Sequence, residues 1–468
     1  MAYTGTTAAI LSNYEQVLKT FYLPATREQL NHDTPLSDLI DTNEIDVSGK
    51  NATINCHYGR TKGTGSRADG GALPDADYQK YKTMTVPMKY DYGRVTFSGP
   101  TIAATRDERG AYARVVDNEI TGCVRDFQKE TNRKLWGCGY GILARWQSGQ
   151  STSIGVSKLY RGNTASTSGD GFGTTFGVKY LKENNACVPV VMTASGSIMT
   201  VMTVDATDYA ANTFVETASA VDTFTASEAG VSEATGTFLI RPGVMGDPDD
   251  GDGVVDASTA AGTWRYEMMG LRGIVDEVDL DHIACYDSGT NVTFTVPDPL
   301  QGLTTGSYAW WKSIVDTGTG TRYATQRALT LNDMQKMFDK VESAAGKDYG
   351  PDSIWTTKAI RREYLDLMQA DRRNVNTMTL DGGWKALDYN GIPLLVDDDA
   401  IDGEMYFLTL RDLQIYRMSD YDWMSKDGAV LSRISGYDAY EAVLYRYAEL
   451  GASRRNSHGV LCDLAYEV

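Results

Sequence analysis

The sequence predicts a mixed α+β fold, and three observations carry that prediction. A long helix with one apolar face is predicted to begin near Asp107 and to end at Trp136. Residues 146–262 are dominated by Thr, Ser, Ala, Gly and Val and contain few charges, which predicts a β-rich insertion. Helical and strand patterns then alternate through the second half. The length of 468 residues, with 42% hydrophobic content, suggests two to three domains around a large core.

The first residues predict an arm rather than a domain. One short helical pattern lies at residues 15–21, and the apolar residues after it are isolated among Asn, Asp and Thr. Because a stretch this poor in core residues cannot bury a surface of its own, we expect it to lie on another one. Residues 59–77 follow as a predicted mobile loop, since Gly, Ala, Asp and Ser dominate them.

The stretch before the long helix predicts two strands joined as a hairpin. Apolar and polar residues alternate from Val86 to Phe97, with Gly93 inside the run. Thr105 and Glu108 then stand three residues apart, the capping-box spacing that satisfies free backbone amides at a helix start. Along the helix, apolar residues recur mostly every three to five positions and charged residues lie mostly between them. The apolar positions are Ala111, Val115, Ile120, Val124, Phe127 and Leu135, and glycines at positions 137, 139 and 141 end the helix.

The second half predicts helices and buried strands with their own start and stop signals. Thr330 and Asp333 cap a helix that runs through Val341 and ends at Gly346. Residues 439–450 fit the period of a strand and that of a helix, so both alternatives stay open. The other predictions are strands at 307–315, 354–355, 392–396, 405–410 and 460–464 and a helix at 359–368.

Composition excludes several classes of function. The formal net charge of −18 and pI near 4.7 argue against a surface that grips nucleic-acid phosphates. The apolar runs are too short to cross a bilayer, and the first residues lack the basic start of a secretory signal, so we expect cytoplasmic synthesis. The six cysteines are scattered without a C-x-x-C pair, which predicts reduced thiols rather than a zinc cluster or a disulfide framework.

Catalytic, cofactor and metal signatures are not found in the sequence. The four histidines form no H-E-x-x-H motif and there is no G-x-S-x-G elbow, so we predict no catalytic residue, no cofactor and no metal. Asp247–Gly253 resembles a calcium loop, but its ligand positions are out of phase, which favours an exposed acidic turn. Because adjacent side chains of an extended segment alternate faces, Asp397, Asp398 and Asp399 cannot converge on one metal, and a solvated loop is predicted there.

Several stretches, taken in their order along the chain, resemble one protein family. They are Thr96–Ile102 leading into residues 106–136, then Gly137–Ala144, Glu267–Ile274 and Asn390–Asp397. The arm, glycine-rich loop, strand pair, long capped helix and β-rich insertion also follow one another in that family's order. The chain is similar to the major capsid proteins of tailed bacteriophages with the Hong Kong 97 fold. The resemblance covers nearly the whole chain, although the insertion only loosely.

The resemblance implies a layout of eight segments. They are an N-terminal arm (1–45), an extended loop (46–98), a peripheral domain with the spine helix (99–145), a β-rich insertion (146–262), a second peripheral part (263–345), an axial domain (346–415), a peripheral return (416–455) and a C-terminal closing strand (456–468).

The resemblance also implies a function without catalysis. Copies of the chain would assemble as hexamers and pentamers into an icosahedral shell that encloses double-stranded phage DNA without reading its sequence. Nothing before Tyr90 resembles a helical scaffold, so a separate scaffolding protein is expected, together with a portal protein. The location would be the virion capsid, assembled in the host cytoplasm without a membrane. Expected subunit contacts are Arg109, Arg114, Arg125, Arg133, Tyr90 and Tyr92.

Two rival functions remain open from the sequence. The Thr-, Ser- and Gly-rich insertion and the aromatic residues also fit a β-rich phage adhesin or a tail-associated binding module. The 62 acidic residues and the tryptophans leave a carboxylate-dependent hydrolase as a weaker alternative, since any chain this acidic offers carboxylate pairs.

Overall fold

The computed structural model describes most of the chain outside the first residues and the middle third. The described residues are 34–44, 47–49, 51–100, 111–139, 141–150, 153–156, 180, 190–192, 198–201, 204–208, 213–216, 238–241, 245–246, 264–277, 299–318, 327–370, 377–379, 385–425 and 430–465. The predicted arm helix at 15–21, the acidic turn at 247–253 and the helix cap at 105–108 lie outside them.

Helices and strands both run through the described ranges. The helices are α1 (Pro35–Leu39), α2 (Ala111–Trp136), α3 (Leu271–Ile274), α4 (Leu331–Ala345) and α5 (Lys358–Ala370). The strands are β1 (Asp41–Asn43), β2 (Val47–Ser48), β3 (Asn51–Gly59), β4 (Lys80–Pro87), β5 (Lys89–Ser98), β6 (Ile142–Gln150), β7 (Ser153–Val156), β8 (Val190–Met192), β9 (Ile198–Val201), β10 (Val204–Asp208), β11 (Thr213–Glu216), β12 (Phe238–Ile240), β13 (Met245–Gly246), β14 (Trp264–Arg265), β15 (Ile314–Asp316), β16 (Ser353–Thr356), β17 (Thr377–Thr379), β18 (Lys385–Tyr389), β19 (Ile392–Val396), β20 (Met405–Leu408), β21 (Leu413–Trp423), β22 (Ser432–Arg433), β23 (Ala439–Ala452) and β24 (Gly459–Leu461).

The long strand β23 is the centre of the sheet that carries helix α2. It pairs antiparallel with β5 on one side and with β21 and β22 on the other, and β1 extends the sheet in parallel to β21. Helix α2 crosses β5 closely at Gly93, where a Cβ atom would lie 3.1 Å from the Phe127 ring and 3.3 Å from the Cys123 sulfur. Glycine at this position therefore allows the helix to pack directly on the strand.

The predicted hairpin at residues 86–97 is wrong. Strands β4 and β5 follow each other almost without a break, yet within the described part of the chain β4 pairs with β3 and β5 pairs with β23. The alternating pattern indicates two strands, each with one exposed and one buried face. It contains no information on which other strands they pair with. The hairpin that forms is β3–β4, with residues 60–79 at its far end, and we call it the extended hairpin.

A second sheet carries the two helices of the later half. Its strand order is β15-β24-β20-β16-β19-β18-β17, and helix α4 contacts β24 and β15. The predicted cap is confirmed, because the Thr330 hydroxyl accepts the Asp333 N–H at 3.1 Å and Gly346, with a φ of 94°, ends the helix. The predicted strand at 392–396 is also confirmed, and residues 439–450 are a strand. Of the predicted strand at 307–315, only its last two residues are in a strand, in β15.

The main apolar core joins the two sheets at the end of helix α2. The Trp136 ring packs edge-on against Trp355 and Tyr406, with ring centroids 6.1 and 5.4 Å apart, and all three side chains have 0% exposure. Burying each such aromatic side chain contributes about 2–3 kcal/mol to folding. Because the core is continuous, the end of the helix is held in a fixed place relative to both sheets.

The described strands between residues 142 and 240 form one further sheet, in the order β10-β11-β7-β6-β12-β8-β9. They bear out the strand content predicted for this region, while a separate inserted subdomain stays a prediction. Among the described residues, Cys56, Cys123, Cys138 and Cys462 form no disulfide bond, and the predicted reduced state of the six cysteines stays a prediction.

Candidate subunit-contact surface

The face of the first sheet opposite helix α2 displays tyrosines. Tyr90 and Tyr92 are 47% and 57% exposed, and they lie edge-on to Tyr447 with centroids 5.1 and 6.1 Å away. Tyr445 lies 5.0 Å from Tyr447 on the same face. The alternation of strand residues causes this arrangement, because Asp91 between the two exposed tyrosines is buried on the helix side. We call Tyr90, Tyr92, Tyr445 and Tyr447 the tyrosine face.

The strands of the extended hairpin pack on the body, and residues 60–79 beyond them are mostly exposed. At the end of the strands that adjoins residues 60–79, the Tyr58 ring stacks on Trp310 at 5.0 Å with an interplanar angle of 8°, and the Lys82 amine lies 5.1 Å from the Tyr308 ring centroid. Beside and beyond this contact, apolar side chains are open to solvent. These are Leu73 (84% exposed), Tyr78 (74%) and Tyr81 (67%). Large apolar groups exposed together on one projecting element are typical of a contact surface.

The predicted contact arginines do not share one environment. Arg109 lies outside the described residues, and Arg114 belongs to helix α2 but its side chain is not described. Arg125 is exposed on the helix, so its predicted subunit contact stays a prediction.

Arg133 corrects the prediction made for it, because its side chain is fully buried inside its own chain. Its Nε and one terminal nitrogen donate to Glu130 at 2.8 and 2.6 Å, and it also pairs with Glu267. Burial alone would raise the pKa of Glu130, but Arg133 and Arg241 outweigh it and lower this pKa to about 2. The sequence signal that could have predicted this ion pair is Glu130, because residues three apart on a helix are neighbours.

The Asp397–Asp399 segment is a second correction, because it is a buried junction and not a solvated loop. The Asn132 amide donates to Asp397 at 3.0 Å and to Asp399 at 2.7 Å, and the Trp136 indole N–H donates to Asp397 at 2.9 Å. The Lys129 amine pairs with Asp399 at 2.7 Å.

The predicted alternation of faces in this segment is confirmed, but the solvated loop predicted from it is wrong. Asp398 points outward to Lys358 at 2.7 Å, while Asp397 and Asp399 on either side of it are 1% and 0% exposed. The carboxylates of Asp397 and Asp399 therefore contact the polar side of helix α2 next to the core. Burial and the neighbouring Asp399 carboxylate raise the pKa of Asp397.

These buried polar groups serve to hold elements together. Asp397 and Asp399 accept hydrogen bonds from Asn132 and Trp136 of helix α2. These bonds connect the helix to the second sheet. Among the described residues there is no group of three or more His, Cys, Asp or Glu side chains placed to hold a metal ion. In the same part of the chain, no helix is both long enough and apolar enough to cross a membrane.

Comparison with solved structures adds an independent observation. No protein-family model and no curated protein matches the sequence. A chain of the cyanophage A-1(L) capsid asymmetric unit matches the structure with a TM-score of 0.52 at 15% identity, over 99% of both chains. The capsid of an empty GTA particle matches with a TM-score of 0.46 at 11% identity, over 99% of this chain and 100% of the other. The capsid of Myoviridae phage XM1 matches with a TM-score of 0.43 at 8% identity, over 96% of this chain and 98% of the other.

The first match extends over the whole length of both chains, so it applies to the architecture and not to a shared local motif. At 15% identity the likeness shows the fold alone. The resemblance predicted from the sequence is thereby confirmed at that level: the chain has the mixed α+β fold of phage capsid proteins.

Proposed function

We propose that this protein is a major capsid protein of the Hong Kong 97 type, which self-assembles as hexamers and pentamers into an icosahedral shell around double-stranded phage DNA. The observation that carries this proposal is the match to the cyanophage A-1(L) capsid chain over 99% of both lengths. The neighbours in structure are capsid components, so the proposed role is structural and not enzymatic.

The described geometry supports the eight-segment layout implied by the resemblance. The extended hairpin occupies most of the proposed extended loop at 46–98, and helix α2 occupies the position of the spine helix. The second sheet draws most of its strands from the proposed axial segment at 346–415. The late strand β23 returns to pair with β5, as a peripheral return at 416–455 would require. In this layout the junction at Asp397 and Asp399 ties the spine helix to the axial domain.

Two exposed surfaces fit contacts between copies. The tyrosine face and the far end of the extended hairpin both present aromatic or apolar side chains that a solitary subunit leaves in water. Tyrosine is well suited to such a surface, because it buries a large ring and keeps a polar hydroxyl. We therefore place Tyr90 and Tyr92 in subunit contacts, with Arg125 on helix α2 as a further contact.

The remaining partners follow from the resemblance and the charge. A separate scaffolding protein and a portal protein complete the assembly, which takes place in the host cytoplasm before the shell becomes part of the virion. The formal charge of −18 disfavours adhesion to DNA phosphates, so packaged DNA would remain mobile inside the shell.

Electron microscopy of the expressed protein tests the proposal. The chain is expressed alone and together with the scaffolding protein, and the products are separated by size and imaged. Closed shells built from hexamers and pentamers are the expected result. Monodisperse monomers under every condition would overturn the capsid proposal. Glycan binding by the intact chain in that case would favour the adhesin or tail-module alternative.

A further inference from the structure

Tyr447 lies at the centre of the tyrosine face. Its ring centroid lies 5.1 Å from that of Tyr90, 6.1 Å from that of Tyr92 and 5.0 Å from that of Tyr445. In the antiparallel pairing of β5 with β23, Tyr447 stands directly opposite Tyr90, and Tyr445 stands opposite Tyr92. Because residues opposite each other on one face of a sheet have adjacent side chains, the strand pairing itself holds the four rings together.

These four rings are accessible to solvent as well as close to one another. Tyr90 and Tyr92 are about half exposed, and Tyr445 and Tyr447 are half-buried. The rings of Tyr90 and Tyr447 meet edge-on, with an interplanar angle of 84°. A small molecule in solution therefore reaches both rings of this pair without any opening of the sheet.

Exposure and contact between tyrosines coincide at this face and not at the other tyrosines of the described ranges. Tyr78 and Tyr81 are more exposed, at 74% and 67%, but neither ring contacts another tyrosine there. Tyr364 does contact Tyr389, with centroids 6.3 Å apart, yet Tyr364 is only 2% exposed. The tyrosine face is thus the part of the described chain where neighbouring phenol groups meet a solution reagent.

Oxidation joins neighbouring phenol rings of this kind. A one-electron oxidant, such as a radical derived from hydrogen peroxide, takes one electron from each of two tyrosines, and each hydroxyl group loses its proton. The two tyrosyl radicals then form a carbon–carbon bond between ring carbons next to the hydroxyl groups. The hydrogen on each bonded carbon moves to the phenol oxygen, which restores both aromatic rings. Because the sheet holds the rings side by side, this coupling is much faster than coupling between separate copies in dilute solution.

We propose that the tyrosine face is an oxidative modification site, at which a dityrosine bond joins Tyr447 of β23 to Tyr90 of β5. The bond connects two strands that are more than 300 residues apart in the chain. Closing so long a loop restricts the unfolded chain, so the link stabilises the folded subunit. The site is complete within a single unassembled chain, and the inference therefore does not rest on the proposed capsid function.

Peptide mass spectrometry of oxidised subunits tests the site. Dilute unassembled subunits are illuminated with a ruthenium photo-oxidant, and persulfate serves as the final electron acceptor. Equal amounts of ¹⁴N- and ¹⁵N-labelled copies distinguish links within one copy from links between copies. Trypsin separates the two partners, because Tyr90 lies in the tryptic peptide 90–94 and Tyr447 lies in the tryptic peptide 447–454.

The expected result is a single-isotope species in which these two peptides are joined, lighter than their sum by the hydrogens that the oxidation removes. Its fragment ions should place the bond at Tyr90 and Tyr447. Links that form only between copies, or only between other tyrosines, would overturn the proposal and leave the capsid function untouched.

Dityrosine fluorescence of variants gives a second measurement. Tyr447→Phe keeps the ring and removes the phenol hydroxyl, so the fluorescence of oxidised subunits should fall at least about fivefold. Tyr90→Phe is the second variant and should remove the same cross-linked peptide. Tyr78→Phe is the matched control, because it removes a more exposed hydroxyl whose ring contacts no other described tyrosine, and its fluorescence should equal that of the parent chain. Equal fluorescence in Tyr447→Phe and Tyr78→Phe, with both folded by circular dichroism, would contradict the role of Tyr447.

Discussion

At the scale of single residues, Asn132 is the donor on which the buried junction depends. Its one amide nitrogen serves Asp397 and Asp399 together. Asn132→Ala would leave two buried carboxylates short of a donor, and we expect it to lower the free energy of unfolding by about 3 kcal/mol. Urea unfolding of unassembled subunits measures this. Gln128→Ala on the exposed side of the same helix is the control, with an expected change within about 0.5 kcal/mol. Equal effects of the two substitutions would contradict the role of Asn132.

His458 makes a prediction about pH. It is 0% exposed, its Nδ1 accepts the Thr409 N–H at 3.3 Å, and burial lowers its pKa to about 3. The unfolded chain protonates this group near pH 6.5 and the folded chain only near pH 3, so the unfolded state binds more protons between those values. The stability contributed by neutral His458 is therefore complete above pH 6.5 and is lost as the pH falls.

Between pH 7.5 and pH 5, we expect His458 to account for a loss of about 2 kcal/mol in the free energy of unfolding. His458→Asn keeps an acceptor for the Thr409 N–H and removes the titration. Urea unfolding of both proteins at the two pH values isolates the difference. A variant that loses as much stability as the parent chain over this range would show that His458 is not the titrating group.

The predictions for Arg133 and for the Asp397–Asp399 segment are wrong for the same reason. Both are polar, and polar residues are usually solvated, so the sequence favours a place on the surface for both. The structure buries them because each finds its partners in a segment distant along the chain, such as Glu267 for Arg133. Nothing local distinguishes a charge that will meet a buried partner from one that will meet water.

At the scale of elements, the extended hairpin depends on a small anchor. The stack of Tyr58 on Trp310 and the contact of Lys82 with Tyr308 hold the end of its strands next to residues 60–79 against the body. Trp310→Ala removes the stacked surface, so the hairpin should open more often while the sheets remain folded. Hydrogen exchange of peptides from β3 and β4 in unassembled subunits should become at least about tenfold faster.

Tyr78→Ala is the matched control for the anchor, because it removes a 74% exposed ring from the same hairpin without changing the anchor residues. We expect unchanged exchange in that variant. Unchanged exchange in Trp310→Ala would show that strand pairing alone fixes the hairpin.

Helix and strand boundaries were well predicted where the signals were local. The cap at Thr330, the glycine at 346 and the apolar run at residues 392–396 each act within a few positions, and each was confirmed. Strand pairing was not predictable in the same way. The partner of β5 lies in β23, more than 300 residues later, and that partner region itself fitted two periods. The hairpin error at residues 86–97 follows from this difference.

At the scale of the whole molecule, the order of elements predicted the fold better than any single residue did. The candidate surface was predicted only in part. Tyr90 and Tyr92, expected as contacts, are exposed, whereas the attachment of the extended hairpin to Trp310 depends on a contact between segments distant in sequence. Such contacts leave no local pattern, so a single sequence could not have located them.

The tyrosine face leads to a prediction about assembly as a whole. Buried aromatic residues commonly contribute 2 kcal/mol or more to an interface, and a shell repeats each contact in every copy. Tyr90→Ser/Tyr92→Ser should therefore raise the concentration needed for assembly by about 30-fold or more, as measured by light scattering and electron microscopy. The unfolding midpoint of the unassembled subunit should change little, since both rings are about half exposed in the single chain. Shells that form at the parent concentration would place the tyrosine face outside the subunit contacts, whereas loss of assembly with a stable subunit would locate the contact on the side of the sheet opposite helix α2.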